Sequence, residues 1–302
     1  MKNKSIAIYM IAIGVLLAVT IGWYIFAFVT QPEPITALFD GERAYADIQA
    51  QVAFGARGHG SDGHAKVQEW MREELESAGW QVEVQESELM GHPIKNLIAR
   101  RGDESPQIIL GAHYDTRLIS DNDPDPAKQA LPSLGANDGA SGVAVLIELA
   151  RVLPEDSIPV WFVFFDAEDN GRIEGWDWIL GSREFVRLNP VHPHVAVIVD
   201  MVGDADLKLY KEGYSDPALT DEIWAVAASI ENDHVFIPEN KHHIIDDHLP
   251  FLQAGIQAVD IIDIEYPYWH TTQDTLDKVS ASSLQAVGET LQVWIMRQSG
   301  QP

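Results

Sequence analysis

The chain has no cysteine. That absence excludes disulfides, thiolate-held zinc and a thiol nucleophile, and it is compatible with either side of a membrane. Positive charge is also scarce: 20 Lys and Arg stand against 46 Asp and Glu, a net charge of −26. Nucleic acid is thereby excluded as a partner, because an acidic surface repels the phosphates it would have to neutralise. A Gly-rich phosphate loop with its lysine and a Gly-x-Ser-x-Gly elbow are both missing, and there is neither an internal repeat nor a low-complexity tract.

What is present is a chain of 302 residues, 46% apolar with 9 Trp, enough for one substantial core. Residues 6–29 carry no charge and follow Lys2 and Lys4. As a helix at about 1.5 Å per residue this stretch covers a hydrocarbon core of roughly 30 Å. Trp23 and Tyr24 lie toward its far end, where interfacial aromatics collect. The run exceeds the roughly 7–15 residues of a signal-peptide core, so it is read as an uncleaved anchor. The preceding lysines place the N-terminus in the cytoplasm and everything after the span outside. The expected organisation is an anchor over 1–30, a linker over 31–44 and one catalytic domain over 45–302.

Helical and strand patterns alternate along that domain. Val67, Trp70, Met71 and Leu75 recur at helical spacing, and Gly79 offers a stop. Residues 81–85 alternate as a strand, and residues 108–110, 160–165, 195–199 and 258–262 are short apolar runs of the kind covered on both faces. Helices are expected over 141–152, around Phe185 and over 284–296. This order predicts a layered α/β domain whose central mixed sheet is largely parallel and flanked by helices.

Chemistry-bearing residues follow the strand runs. They are His113 and Asp115 in Gly111-Ala112-His113-Tyr114-Asp115-Thr116, Asp138 in residues 135–142, Glu168 and Asp169 after Phe164-Phe165-Asp166, Asp200, and His270 after Trp269. Sites in open α/β sheets form beyond the carboxyl ends of the strands, so these groups are expected to converge there. Imidazole nitrogen and carboxylate oxygen are zinc donors, and His113, Asp138, Asp169, Asp200 and His270 suffice for one ion or a bridged pair. Glu168 is left over as the general base, since successive side chains of an extended segment point apart.

Together, Gly111 to Thr116, the Gly135-Ala136-Asn137-Asp138-Gly139-Ala140-Ser141-Gly142 loop, Phe164 to Asp169 and Trp269-His270-Thr271 resemble the motifs of the zinc-dependent aminopeptidase superfamily, over about residues 45 to 298. Within it, residues 175–183 and Asp246-Asp247-His248-Leu249-Pro250-Phe251, with Trp269 before His270, are similar to animal-type glutaminyl cyclases. The resemblance implies one zinc held by Asp138, Asp169 and His270. It further implies that Glu168 is the acid/base with Asp200 and Asp247 as its hydrogen-bonding partners, and that Trp176 and Trp269 wall the substrate pocket. The implied reaction converts the N-terminal glutamine of a peptide or protein to pyroglutamate with release of ammonia. Asp169 departs from the animal pattern, which has Glu, and the disulfide of secreted animal relatives is absent. The alternative is a zinc aminopeptidase, in which His113 and Asp200 would hold a second zinc; a non-enzymatic membrane-anchored ectodomain is the reading from another class. The expected partners are peptide N-termini as substrate and, through the N-terminal helix, a lipid bilayer.

Overall fold

The computed structural model describes residues 37–300 and, before them, only positions 14, 20 and 23. Apart from those three positions, the run read as a membrane anchor lies outside the described residues. Among the described residues no helix is long and apolar enough to cross a membrane. The packed body begins inside the stretch expected as a linker over 31–44, earlier than the domain start expected at 45. Phe39 is buried against Gly288, and helix α1 (Gly41–Ala53) already starts within that stretch, capped by the Asp40 carboxylate.

Helix α2 (Asp62–Ser77) opens at Ser61, whose hydroxyl accepts from the His64 N–H, and buries Val67, Met71 and Leu75. The strands β1 (Gln81–Leu89) and β2 (His92–Arg100) form an antiparallel pair, with β2 pairing in turn with β4 (Val160–Phe165). Strands β3 (Ile108–His113), β4, β5 (Val195–Asp200) and β8 (Gln257–Ile262) run parallel, and the six strands stand in the order β1-β2-β4-β3-β5-β8. Every residue of β3 and β4 is buried, which explains their unbroken apolar runs. At the open edge, β1 carries Glu83, Glu86 and Glu88, charges that discourage pairing with another chain.

Alternate strand residues feed two apolar layers. Leu110, Ala112, Phe162, Phe164, Val197 and Val199 face α1, α2, α3 (Ser141–Val152) and α7 (Ala281–Gln298). Ile109, Trp161, Val163, Phe165, Ala196 and Ile198 face α4 (Leu180–Leu188) and α6 (Leu249–Gln253) through Phe185 and Phe251. A small second sheet of β6 (Leu209–Lys211) and β7 (Phe236–Asn240) accompanies α5 (Pro217–Ser229). The mixed sheet flanked by helices agrees with the α/β reading. Its four parallel strands direct their carboxyl ends to a common rim.

Candidate metal centre and active site

His113 ends β3, Asp200 ends β5, Glu168 and Asp169 follow β4, Asp138 opens the turn into α3, and His270 lies in the loop after β8. The structure brings all six to one place, and each is less than a tenth exposed. His270 Nε2 is 2.8 Å from Asp169 Oδ1 and 3.7 Å from Asp138 Oδ2. His113 Nε2 is 3.2 Å from Asp138 Oδ1 and 3.0 Å from Asp200 Oδ1. Asp138 thus stands between two triads, one oxygen toward each. In each triad the donor atoms lie within 4.8 Å of one another.

Oδ2 of Asp138 and Oδ2 of Asp169 are buried and accept no hydrogen bond among the described residues. A buried carboxylate oxygen without a partner is costly, and a divalent ion among Asp138, Asp169 and His270 removes that cost. The donor set of imidazole nitrogen and carboxylate oxygen is one that zinc accepts. The residues therefore fit the metal.

Local backbone strain and fixed hydrogen bonds aim these groups. Ala167, Met201 and His270 all take positive φ, at 52°, 46° and 57°, a conformation uncommon outside glycine, found here just past the ends of β4 and β5 and in the loop after β8. Asp115 Oδ1 accepts from the Glu168 N–H at 3.0 Å and Oδ2 from the Asp169 N–H at 3.4 Å, while its backbone carbonyl lies 3.1 Å from His113 Nδ1. It therefore holds the Glu168–Asp169 turn and orients His113 as well. Sequence reasoning missed Asp274, which accepts from the Asn137 and Asp138 N–H groups at 2.8 and 3.1 Å. It also missed Arg117, which donates to the Asp169 carbonyl at 3.1 Å and pairs with Asp121. Asp121 in turn stands 3.5 Å from His270 Nδ1 and so helps to orient that ring.

Glu168 is buried beside these groups, and burial, reinforced by the charges of Asp169, Asp246 and Asp247 against the pull of His113, raises its pKa well above the ordinary glutamate value. Burial alone would lower the His113 pKa, but Asp200, Asp115 and Asp138 outweigh it and hold it well above the usual imidazole value. Asp200 and Asp247 make no hydrogen bond to Glu168 among the described contacts. Asp200 faces His113, and Asp247, wholly buried, has both carboxylate oxygens unpaired.

A cavity of about 330 Å³ opens over the centre, lined by Asp138, Glu168 and Asp169 at its floor and by Trp178, Trp269, Ile244 and Ile245 on its walls. The expected wall residue Trp176 is not among those lining it. Its ring stacks on His92 at 3.5 Å and packs with Ile94, Ala167 and Leu180. Trp178 takes the expected place instead, its ring 6.0 Å from the His270 ring and nearly parallel to it, with the Arg117 guanidinium 5.1 Å from the Trp178 ring centre. His248, beside Asp247 in the loop entering α6, is fully buried. Trp161, Trp224 and Trp294 lie in the core.

A mixed α/β sheet carrying buried His and Asp donors around a buried glutamate of raised pKa defines a metal-dependent enzyme. Residues 96–295 match Peptidase family M28, and the chain belongs to that family. A Bacteroides thetaiotaomicron glutaminyl cyclase, solved with N-acetylhistamine bound, superposes with a TM-score of 0.81 at 34% identity, covering 86% of this chain and 99% of that one. A Zn-dependent exopeptidase from Parabacteroides distasonis gives a TM-score of 0.81 at 30% identity over 86% and 99%. The glutaminyl-peptide cyclotransferase of Bothrops jararaca is 22% identical over 78% of this chain and 76% of its own.

Proposed function

We propose that this protein is a glutaminyl-peptide cyclotransferase that uses one zinc ion to close an N-terminal glutamine into pyroglutamate. The observation that carries the reading is Glu168, buried and proton-attracting at the floor of a cavity between Trp178 and Trp269, in a chain alike along its folded length to glutaminyl cyclases. A zinc held by Asp138, Asp169 and His270 supplies Lewis acidity at the side-chain amide carbonyl.

The other steps belong to the chain's own groups. Trp178 and Trp269 orient the glutamine side chain so that the α-amine reaches its own amide carbon, which makes the nucleophile effectively intramolecular. Glu168 accepts a proton from the attacking amine; the bond from α-nitrogen to the carbonyl carbon forms and the bond to the amide nitrogen breaks. Glu168 then gives the proton to the departing ammonia. The buried Asp247 carboxyl, without a hydrogen-bond partner of its own among the described residues, adds to the proton affinity of Glu168.

A second reading, a zinc aminopeptidase, is favoured by one feature: Asp138 turns one oxygen to each triad, the arrangement of a carboxylate bridging two ions, with His113 and Asp200 around the second. Incubating the protein with a Gln-initiated peptide and with a Leu-initiated amide separates the two. Cyclisation releases ammonia and leaves peptide length unchanged; loss of the first residue establishes the peptidase.

The same proposal includes an anchor over residues 1–30 in the lipid bilayer and a catalytic domain outside the cytoplasm, supported by the uncharged run 6–29 after Lys2 and Lys4. Resistance of the full chain to carbonate extraction from membranes tests it, and quantitative release without detergent contradicts it.

A further inference from the structure

Next to the catalytic cavity, the loop entering α6 carries Asp246 and His248, and β8 contributes Asp260. The three offer one donor atom each within 4.8 Å of one another, and all are almost wholly buried. A comparable triad of His59, His64 and Asp166 is already satisfied: Asp166 accepts from the Lys95 N–H and meets His64, whose Nδ1 lies 3.1 Å from the Gln68 amide nitrogen. The Asp246 triad is not. Asp246 Oδ2, both oxygens of Asp260 and Nδ1 of His248 hydrogen-bond to nothing among the described residues.

An independent feature lies behind the histidine. Glu212 Oε2 is 3.2 Å from His248 Nε2. The Glu212 carboxylate is itself locked by the N–H groups of Tyr214, Ser215 and Ile244 and by the Ser215 hydroxyl. A fixed carboxylate facing one ring nitrogen favours the proton there and leaves the lone pair on the other, the arrangement that commonly backs a metal-bound histidine. That other nitrogen, Nδ1, stands 3.7 Å from Asp260 Oδ2. The separation is too long for a hydrogen bond but suits two donors each about 2.0–2.2 Å from a single ion.

We propose that Asp246, His248 and Asp260 form a further divalent-cation site, separate from the Asp138–Asp169–His270 centre. Mixed nitrogen and oxygen donors fit zinc or a similar borderline cation. A cation there pairs with buried carboxylates that no lysine or arginine among the described residues reaches, and it ties the cavity loop to β8 one residue from Asp247. The competing arrangement is a single proton shared between Asp246 and Asp260, which also relieves their repulsion without metal.

The test loads the full chain with zinc chloride, dialyses it and counts zinc per chain. Asp260→Asn keeps the side chain's size and removes its charge, and it lowers the zinc content by one equivalent relative to the parent. In the Asp138→Asn/His270→Ala background one equivalent remains, and adding Asp260→Asn removes it. Because that background lacks the catalytic ligands, the count does not depend on which reaction the enzyme performs. As a second readout, zinc raises the Tm of His248→Gln less than that of the parent. Equal zinc content in Asp260→Asn and parent, with a stability change indifferent to zinc, establishes the shared proton and overturns the proposal.

Discussion

Glu168 and Asp169 are chain neighbours with different tasks, separated by the turn that Asp115 pins through both their N–H groups. Glu168→Gln preserves shape and hydrogen bonding but removes the proton acceptor. Turnover is expected to fall by roughly 10²–10⁴-fold while zinc content stays unchanged, read by steady-state kinetics beside metal analysis. Trp178→Ala is expected to raise KM roughly ten-fold, about 1.4 kcal/mol of lost ring contact. Trp176→Ala leaves KM nearly unchanged and lowers Tm instead, because that ring packs on His92 outside the cavity. Asp166 adds a pH dependence of stability. Burial would raise its pKa, but the hydrogen bonds from His59 and His64 outweigh it and bring the carboxyl down to about 2. A folded pKa below the unfolded one contributes stability that is full above the ordinary aspartate value and is lost as pH falls through about 2. The contribution is on the order of 2 kcal/mol. Thermal melts of Asp166→Asn between pH 5 and 2 (a window of about three units around the ordinary carboxylate range) are therefore flatter than those of the parent; an unchanged slope removes this residue from the acid response.

Helix α3 shows how closely an element must approach the sheet to place Asp138. A Cβ added at Gly142 meets the carbonyl oxygen of Val199, on the strand that delivers Asp200. Gly142→Ala is therefore expected to destabilise the fold by about 2–3 kcal/mol through forced separation of α3 and β5, measured by denaturant unfolding. The same scale explains what the sequence disclosed. Residues 108–110, 160–165 and 195–199 read as buried strands because both their faces are covered and every residue is apolar. Strand β2 escaped notice because Pro93, Lys95 and Asn96 interrupt its run, and β6 and β7 because they are short and half-exposed. The candidate metal donors were legible as polar groups after the apolar strand runs, and the structure brings them together. Arg117 and Asp274 were not, since they act on backbone groups of distant loops and leave no spacing signature. The choice between Trp176 and Trp178 turned on the path of the turn from 170 to 179, where Ile179 takes a left-handed backbone that local sequence does not announce.

Over the whole molecule, the candidate metal centre joins the turn after β4, the turn into α3 and the loop after β8, beside the ends of β3 and β5, so ion binding and fold stability are linked. An ion that binds only the folded chain adds about 2.7 kcal/mol at one hundred times its Kd. Exhaustive chelation is expected to lower Tm by several degrees and re-addition of zinc to restore it, with a smaller shift in His270→Ala. The acidic surface, at net charge −26, sets no such demand on the fold and serves solubility. The central claim is that Asp138, Asp169 and His270, distant in the chain, hold one zinc at the sheet rim beside Glu168. Anomalous diffraction at the zinc edge from crystals of the metal-loaded protein tests it most directly. The account predicts a peak within bonding distance of all three side chains, with Glu168 unbound beside it; a metal-loaded crystal in which those side chains bind no ion contradicts it.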